Sequence, residues 1–260
     1  MTGQPALIGQ RPGMKTELSH ASTIYLRILG RFELVVRSRS IPVGTSCQRL
    51  LALMAMRGGQ VNRVQAAGLL WPDVTGPRAN ANLRSVLWRL QRRCPEVMNR
   101  TFMDLWFASD VVTDLDDVQA TARRLLDRSS RLSRDELRQA LNCNLYADIL
   151  PGLDGMEWLD PEAERHRQLR LHALEALAEQ LIEVGWLGAA VEAALGALRA
   201  DPFRESACQL LVKAHLAEGN QLEARRQYQR YCAVLRGEMG LGPSDSLRRL
   251  VRDGTLRAAG

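Results

Sequence analysis

The segment from Arg78 to Arg93, RANANLRSVLWRLQRR, carries five arginines and no acidic residue. Its apolar residues recur at helical spacing, which predicts an amphipathic helix with one face toward a core: Leu83, Val86, Leu87 and Leu90. The opposite face carries polar and aromatic side chains: Asn82, Arg84, Ser85, Trp88, Arg89, Arg92 and Arg93. Donors grouped on a helix of this width fit phosphate oxygens and base edges in a DNA major groove.

A solvated helix face is the simplest alternative for this segment. Such a face usually mixes charges of both signs and pairs them four residues apart, and this segment has no acid with which to pair. The pattern therefore favours contact with nucleic acid.

Different residues of the segment are expected to play different roles. Arg78 and Arg93 are predicted to lie near phosphates, whereas the central side chains are placed to reach bases. Trp88 has an alternative role as a partly buried aromatic packed on a sheet. Arg49 and Asn62, at the starts of two preceding helices, are predicted to add phosphate contacts, although capping explains Asn62 equally well. The full predicted DNA-binding set is Arg49, Asn62, Arg78, Asn80, Asn82, Arg84, Ser85, Trp88, Arg89, Arg92 and Arg93.

The net charge of +6 is unevenly distributed along the chain. Residues 23–112 hold 13 basic and 5 acidic residues, a net charge of +8, whereas residues 113–260 hold 20 basic and 23 acidic residues, a net charge of −3. Clustered positive charge favours a polyanion through counterion release. The first part of the chain is therefore the part expected to meet DNA.

The periodicities around the arginine-rich segment predict strands, then three helices, then a hairpin. Residues 24–36 predict two short strands or one bent strand, and residues 41–44 are expected to close a small sheet. A first helix capped by Thr45 or Ser46 is expected to end at Gly58 and Gly59, and Asn62 is expected to cap the second. Gly76 and Pro77 open the third. Residues 101–114 predict a hairpin with its turn at Ser109-Asp110.

The second half of the sequence is dominated by helical patterns. Asp114, Asp116 and Asp117 are expected to begin a helix that runs through Leu126, since carboxylates favour the positive end of the helix dipole. An almost unbroken helical pattern covers residues 158–236. Three pairs of residues within it are 34 positions apart: Gly185 and Gly219, Ala190 and Ala224, and Leu177 and Leu211. This is the tetratricopeptide period, although two imperfect repeats also fit any pair of helical hairpins.

Residues 24–112 resemble the OmpR-type winged helix-turn-helix, in which the third helix is the recognition helix and a C-terminal hairpin is the wing. The form is similar to the Streptomyces antibiotic regulatory protein (SARP) family, with Gln48-Arg49, Val61, Leu70-Trp71 and Arg89-Leu90 at the expected places. Trp106-Phe107 replaces the Gly-Tyr pair usual in the wing of the family.

The second half is similar to the bacterial transcriptional activation domain that follows the winged helix in SARP proteins. The most specific segments are residues 200–205, 228–235 and 238–244. The two resemblances imply a two-domain, mainly α protein. They place a winged helix-turn-helix at 23–112 and a tetratricopeptide-like activation domain at 113–255. Residues 1–22 are predicted from their own sequence to be a disordered leader.

The resemblance also implies a function. It indicates a transcriptional activator that binds direct repeats in promoter DNA, as a possible homodimer on DNA. It implies recruitment of RNA polymerase holoenzyme through the sigma factor, the alpha subunit or both. The family further points to control of a biosynthetic gene cluster for a secondary metabolite, such as an antibiotic.

Catalytic and cofactor sites are not expected. The sequence has no GxxxxGK[ST] motif for nucleotide phosphates, and no pair of histidines at metal-ligand spacing among His20, His166, His172 and His215. The acids Glu157, Asp160, Glu162 and Glu164 fit capping and salt bridges better than a catalytic pair. We therefore expect no enzyme, no cofactor and no metal.

The composition indicates a globular protein outside the membrane. Hydrophobic residues make up 46% and charged residues 25% of the chain, and no apolar stretch approaches a membrane span. The five cysteines form no CxxC pair, and the first residues lack the pattern of a secretory signal. These features favour a cytoplasmic protein, and the predicted DNA binding would place it at the nucleoid.

The sequence also fits a second class of function. A helical-repeat adaptor whose winged helix binds protein would have the same periodicities. The acid-free face of Arg84, Arg89, Arg92 and Arg93 argues for DNA, because a protein-binding face does not require it.

Overall fold

A computed structural model describes residues 24–127, 129–151 and 156–256. The predicted leader at residues 1–22 lies outside these ranges. The first element is a four-stranded sheet built from β1 (Ile24–Arg27), β2 (Glu33–Val36), β3 (Arg39–Ser40) and β7 (Val111–Thr113). The strand order is β3-β2-β1-β7, with β1 antiparallel to β2 and parallel to β7.

The third strand lies earlier than expected. Residues 41–44 were expected to close the sheet, but β3 occupies residues 39–40. Arg37 and Ser38 take positive φ angles of 48° and 64°, so β2 reverses in a two-residue turn and Val36 pairs with Arg39. Two successive positive φ angles are characteristic of the tightest hairpin turns. A bulky residue such as Arg37 does not indicate such a turn, so the sequence did not predict it.

Three helices follow with the expected order: α1 (Thr45–Met56), α2 (Arg63–Leu70) and α3 (Gly76–Arg93). The predicted side-chain cap of α1 is wrong, because Gly44 is the cap residue and its carbonyl accepts from the amides of Cys47 and Gln48. Gly58 and Gly59, both with positive φ, end α1 as expected. The predicted cap of α2 is confirmed, since Asn62 Oδ1 accepts from the amides of Val64 and Gln65.

The hairpin forms in a different place from the one predicted. Its strands are β5 (Met98–Arg100) and β6 (Asp104–Phe107), and β6 also pairs with β4 (Gln60–Asn62). The turn lies at residues 101–103, where Thr101 Oγ1 accepts from the amides of Met103 and Asp104. Ser109-Asp110 instead lead from β6 into β7 of the other sheet. Alternation continued through both strands, so the sequence did not show that the chain changes sheets.

The remainder of the described chain is helical. Asp114 begins α4, as predicted, with the side chain of Thr113 as its cap. The helices of this half are α4 (Asp114–Leu126), α5 (Arg134–Asn142), α6 (Asp160–Glu183), α7 (Leu187–Ala200), α8 (Glu205–Ala217), α9 (Gln221–Met239) and α10 (Asp245–Leu256).

The residue pairs 34 positions apart occupy equivalent places in two helical hairpins, α6-α7 and α8-α9. Gly185 and Gly219 follow α6 and α8 with φ of 79° and 77°. Ala190 and Ala224 are buried in α7 and α9, and Leu177 and Leu211 are buried in α6 and α8. Each hairpin thus repeats the same turn and the same inward-facing positions.

The sheet and the helical repeats share a packed core. One hydrophobic cluster runs from β1 to α8. The extended segment after α5 lies between the two parts: the amide of Gly30 donates to the carbonyl of Asp148, and the amide of Leu150 donates to the carbonyl of Ile28. On the helical side, the buried guanidinium of Arg170 donates to the carbonyl of Tyr146 and to the carboxylate of Asp148.

Gly196 of α7 marks a close approach in this core. A Cβ atom at this position would lie 2.5 Å from Cε1 of Tyr146. We expect Gly196→Ala to lower the free energy of unfolding by about 1 to 3 kcal/mol despite the better helix propensity of alanine, because the ring must move. Denaturant unfolding measures this loss.

Gly188 in the same helix provides the matched control. A Cβ atom at Gly188 meets nothing within 4 Å. Gly188→Ala is therefore expected to be neutral or to stabilise by up to about 1 kcal/mol. Equal effects of the two substitutions would contradict the close approach at Gly196.

Candidate nucleic-acid interface

The amphipathic division of α3 agrees with the sequence pattern. Leu83, Val86, Leu87 and Leu90 are all buried, and α3 packs against α1 and α2. On the other side, the predicted polar face is open to solvent: Arg78, Arg84, Ser85, Trp88, Arg89, Arg92 and Arg93 are exposed, and Asn80 and Asn82 are half-buried. The helix thus buries its apolar face and leaves its cationic face accessible from solvent.

The arginines of this surface differ in how they are held. Arg84 and Arg78 have no hydrogen bond or ion pair to any residue that the structure describes. Arg89 Nε donates to the carbonyl of Ser85 over 3.2 Å, which leaves both of its terminal nitrogens available. Arg93 Nη1 donates to the carbonyl of Pro42 over 3.3 Å. The centre of the helix therefore carries one guanidinium without a partner in the described chain and one that is partly oriented.

Two smaller polar residues of the predicted set bond to their own helix. The hydroxyl of Ser85 donates to the carbonyl of Ala81, and the amide of Asn80 donates to the carbonyl of Gly76. Ser85 keeps its lone pairs as acceptors, and Asn80 keeps its carbonyl oxygen. Their readout of a donor on a base remains a prediction.

Trp88 is mostly open to solvent. It is 58% exposed, which favours a surface role over packing on a sheet. The guanidinium of Arg92 lies 4.9 Å from the centre of its ring, in cation–π contact. This contact fixes Arg92 beside the helix and leaves a planar indole on the surface.

A groove at the end of α3 was not predicted. It has a volume of about 550 Å³ and lies between the segment before α1 and the last turns of α3. Its lining is Pro42, Val43, Gly44, Cys47, Trp88, Arg89, Arg92 and Arg93. Burial raises the pKa of the Cys47 thiol, which remains neutral at physiological pH and leaves the groove positively charged. Only the tertiary fold brings residues 42–44 beside α3, so no sequence signal marked them.

Arg49 and Asn62, the two predicted phosphate contacts outside α3, have different surroundings in the structure. Asn62 uses its oxygen as the cap of α2, and its Nδ2 lies 3.4 Å from Oδ1 of Asp104. The capping role is therefore confirmed. Arg49 is half-buried, and its Nε has no hydrogen-bond partner among the described residues. Phosphate contacts by Arg49 and Asn62 remain predictions.

The arginines around α3 lack acidic partners. None of the eleven arginines between residues 37 and 113 forms an ion pair with a residue that the structure describes. By contrast, Arg27 and Arg31 both pair with Glu33. Several arginines of the helical half also pair closely with acids, as Arg204 does with Glu175 at 2.7 Å. Unpaired guanidinium groups on one surface repel each other, and a polyanion relieves that repulsion.

In the described ranges, no group of three or more His, Cys, Asp or Glu residues is arranged to hold a metal ion. His166 is buried, with Nε2 near the carbonyl of Ala147, at the interface between α6 and the preceding segment. Glu162 and Glu164 pair with Arg165 and Arg167 on their own helix. Every helix within those ranges is too short or too polar to span a lipid bilayer.

Comparisons with known proteins identify the helical half most clearly. The family model described as bacterial transcriptional activator domain matches residues 110–253. Among solved structures, the fold is similar to that of Mycobacterium tuberculosis EmbR in complex with low affinity phosphopeptide, with a TM-score of 0.71 and 19% sequence identity. The match covers 91% of this chain and 66% of that chain, so the chain spans just under two thirds of that protein. No curated protein matches the sequence.

Proposed function

Because the chain belongs to the bacterial transcriptional activator domain family, whose members are transcription regulators and not enzymes, we propose that it is a sequence-specific DNA-binding activator of the SARP type. Residues 23–112 act as a winged helix-turn-helix, and residues 113–255 act as the activation domain. The observation that carries the proposal is the exposed, acid-free face of α3, whose arginines have no acidic partner within the described chain.

In this proposal α3 enters the major groove. Its buried leucines hold it against α1 and α2, and its outer face points toward bases and phosphates. Arg84 and Arg89 lie at the centre of that face, while Arg78 and Arg93 lie at its ends, where the phosphate backbone is nearest. The hairpin of β5 and β6 is the wing.

The activation domain supplies the contacts with the transcription machinery. We propose that its helical hairpins bind RNA polymerase holoenzyme, through the sigma factor or the alpha subunit. Two copies bind direct repeats in the promoter, and the protein works at the nucleoid in the cytoplasm. The target genes form a biosynthetic cluster for a secondary metabolite, such as an antibiotic.

A gel-shift titration at several salt concentrations tests DNA binding. Each phosphate that an arginine neutralises contributes about −0.9 to the slope of log K against log salt. If three to five arginines of α3 contact phosphates, that helix alone contributes about −3 to −5 to the slope. Unlabelled random DNA should compete poorly with a cognate promoter fragment.

Absence of binding to any duplex at low salt would reject the activator and favour the protein-binding adaptor. Arg225 in α9, an exposed arginine outside the proposed interface, provides a control: Arg225→Ala should leave both affinity and slope unchanged.

A further inference from the structure

The tip of the hairpin between β5 and β6 exposes two large apolar side chains. Phe102 is 89% exposed and Met103 is 52% exposed. Val64, in the first turn of α2, is exposed as well. An apolar group displayed in this way is stabilised by any partner that removes it from water.

The backbone of the tip is rigidly held. The amide of Thr101 donates to the carbonyl of Asp104 over 2.9 Å, and Thr101 Oγ1 accepts from the amides of Met103 and Asp104. The start of α2 holds the other side, since the amide of Arg63 donates to the carbonyl of Met103 over 2.8 Å. Phe102 is therefore presented on an ordered turn, and binding through it costs little backbone entropy.

The charges around the tip indicate the occupant. Arg63 lies beside it, with Nη1 donating to the carbonyl of Thr101, and Arg100 precedes it with no ion pair in the described ranges. The nearby acid, Asp104, faces the amide of Asn62. An exposed apolar side chain flanked by two cations suits a groove of DNA. The stacked bases at the bottom of the groove can contact the apolar side chain, and the phosphates along its two edges can bind the cations.

The distance from α3 allows one duplex to reach both elements. The tip is bonded to the first residue of α2, a helix of eight residues and about 12 Å. Helix α2 packs against α3, and packed helices lie about 8 to 10 Å apart. The tip is thus within about 22 Å of α3, a span comparable to the roughly 17 Å of half a turn of duplex.

We propose that Phe102, supported by Met103, is a wedge that enters the minor groove and opens the stack between two adjacent base pairs. Arg63 and Arg100 hold the phosphates on either side. The duplex kinks at this step, so the protein recognises deformability as well as base edges. The inference rests on the proposed DNA binding, to which it adds a second and different mode of recognition.

The test uses the full chain and a duplex that the wild-type protein has selected from a random pool. Donor and acceptor dyes at the two ends report the bend, and 2-aminopurine placed at successive steps reports unstacking. We expect a bend of roughly 20° to 90° with the wild type and bright 2-aminopurine at one step. Phe102→Ala should straighten the duplex, quench that signal and raise Kd about tenfold, whereas Phe102→Trp should retain the bend.

Controls separate this inference from the proposed function. Leu222→Ala removes an exposed apolar side chain of α9 and should change neither the bend nor Kd. Failure of the wild type to select any duplex would reject the proposed function itself. Selection followed by a straight duplex, or a bend unchanged in Phe102→Ala, would overturn the wedge and leave DNA binding intact. A straight duplex with self-association that Phe102→Ala abolishes would assign the tip to a second copy of the chain.

Discussion

Replacing Asp114 with alanine is expected to lower the free energy of unfolding by about 2 to 4 kcal/mol. The two carboxylate oxygens of this buried residue accept hydrogen bonds from the amides of Ile28 and Leu29, over 2.9 and 3.0 Å. Alanine leaves both buried amides without a partner at the end of β1, beside the segment that joins the sheet to the helical repeats. Urea unfolding followed by circular dichroism measures the loss.

Two further variants test whether the loss of stability comes from the hydrogen bonds that Asp114 accepts. Asp110→Ala, at an exposed position of the loop before β7, should change stability by less than about 0.5 kcal/mol. Asp114→Asn keeps one acceptor oxygen but turns its NH₂ group toward an amide donor, so it should fall between wild type and Asp114→Ala. A loss for Asp114→Ala no larger than that for Asp110→Ala would show that the two hydrogen bonds do not hold the sheet to α4.

The pH dependence of this loss has a definite sign. Burial raises the pKa of Asp114, and the hydrogen bonds from the amides of Ile28 and Leu29 only partly oppose it. The folded pKa thus lies above the unfolded value of about 3.9, and folding favours the protonated carboxyl. Its contribution to stability is fully present below about pH 3.9 and declines as the pH rises through the folded pKa. The loss caused by Asp114→Ala should therefore be larger near pH 4 than near pH 7.

Asp114 combines a local interaction that the sequence signals with distant contacts that it does not signal. Its position at the start of a helix predicted an interaction with the helix dipole, and α4 does begin there. The bonds to Ile28 and Leu29 cross 86 and 85 positions of the chain, and no local pattern encodes such a distance. The same holds for Arg93 and the carbonyl of Pro42, 51 positions apart.

The helices of the first half were predictable because their signals are local. The leucine spacing of α3, the cap at Asn62 and the glycine pair after α1 each act within a few residues. The strands were harder to predict from the sequence, because the strand with which each one pairs depends on the whole sheet. Residues 60–62 form β4 only because β6 lies beside them, and the alternation through residues 104–113 did not reveal that β6 and β7 belong to different sheets.

The sequence predicts the candidate interface to the extent that the interface is defined by an absence of acidic residues. The absence of acids from residues 78–93 is visible in the sequence, and the structure adds that distant acids do not supply the partners within the described ranges. The exposure of Trp88 and of Phe102 was not predictable, because an aromatic residue on an amphipathic element fits a core or a surface equally well.

Alanine at the centre of α3 should weaken binding to the cognate promoter far more than binding to random DNA. We expect Arg84→Ala or Arg89→Ala to cost about 1 to 3 kcal/mol on the cognate site, because a bidentate contact to guanine has about that value. Arg89 is partly oriented by its bond to the carbonyl of Ser85, whereas Arg84 is unpaired within the described chain. Fluorescence anisotropy on labelled duplexes, at one fixed salt concentration, gives both affinities.

Arg84→Lys distinguishes base recognition from simple charge. Lysine keeps the positive charge but cannot form the planar two-bond contact, so a base-reading Arg84 should lose nearly as much cognate affinity with lysine as with alanine. A phosphate-contacting arginine would instead be largely restored by lysine, and Arg78→Lys serves as that comparison. Equal losses on cognate and random DNA for Arg84→Ala and Arg89→Ala would reassign both side chains to the backbone. The central face of α3 would then position the protein, and its sequence preference would have to come from DNA shape.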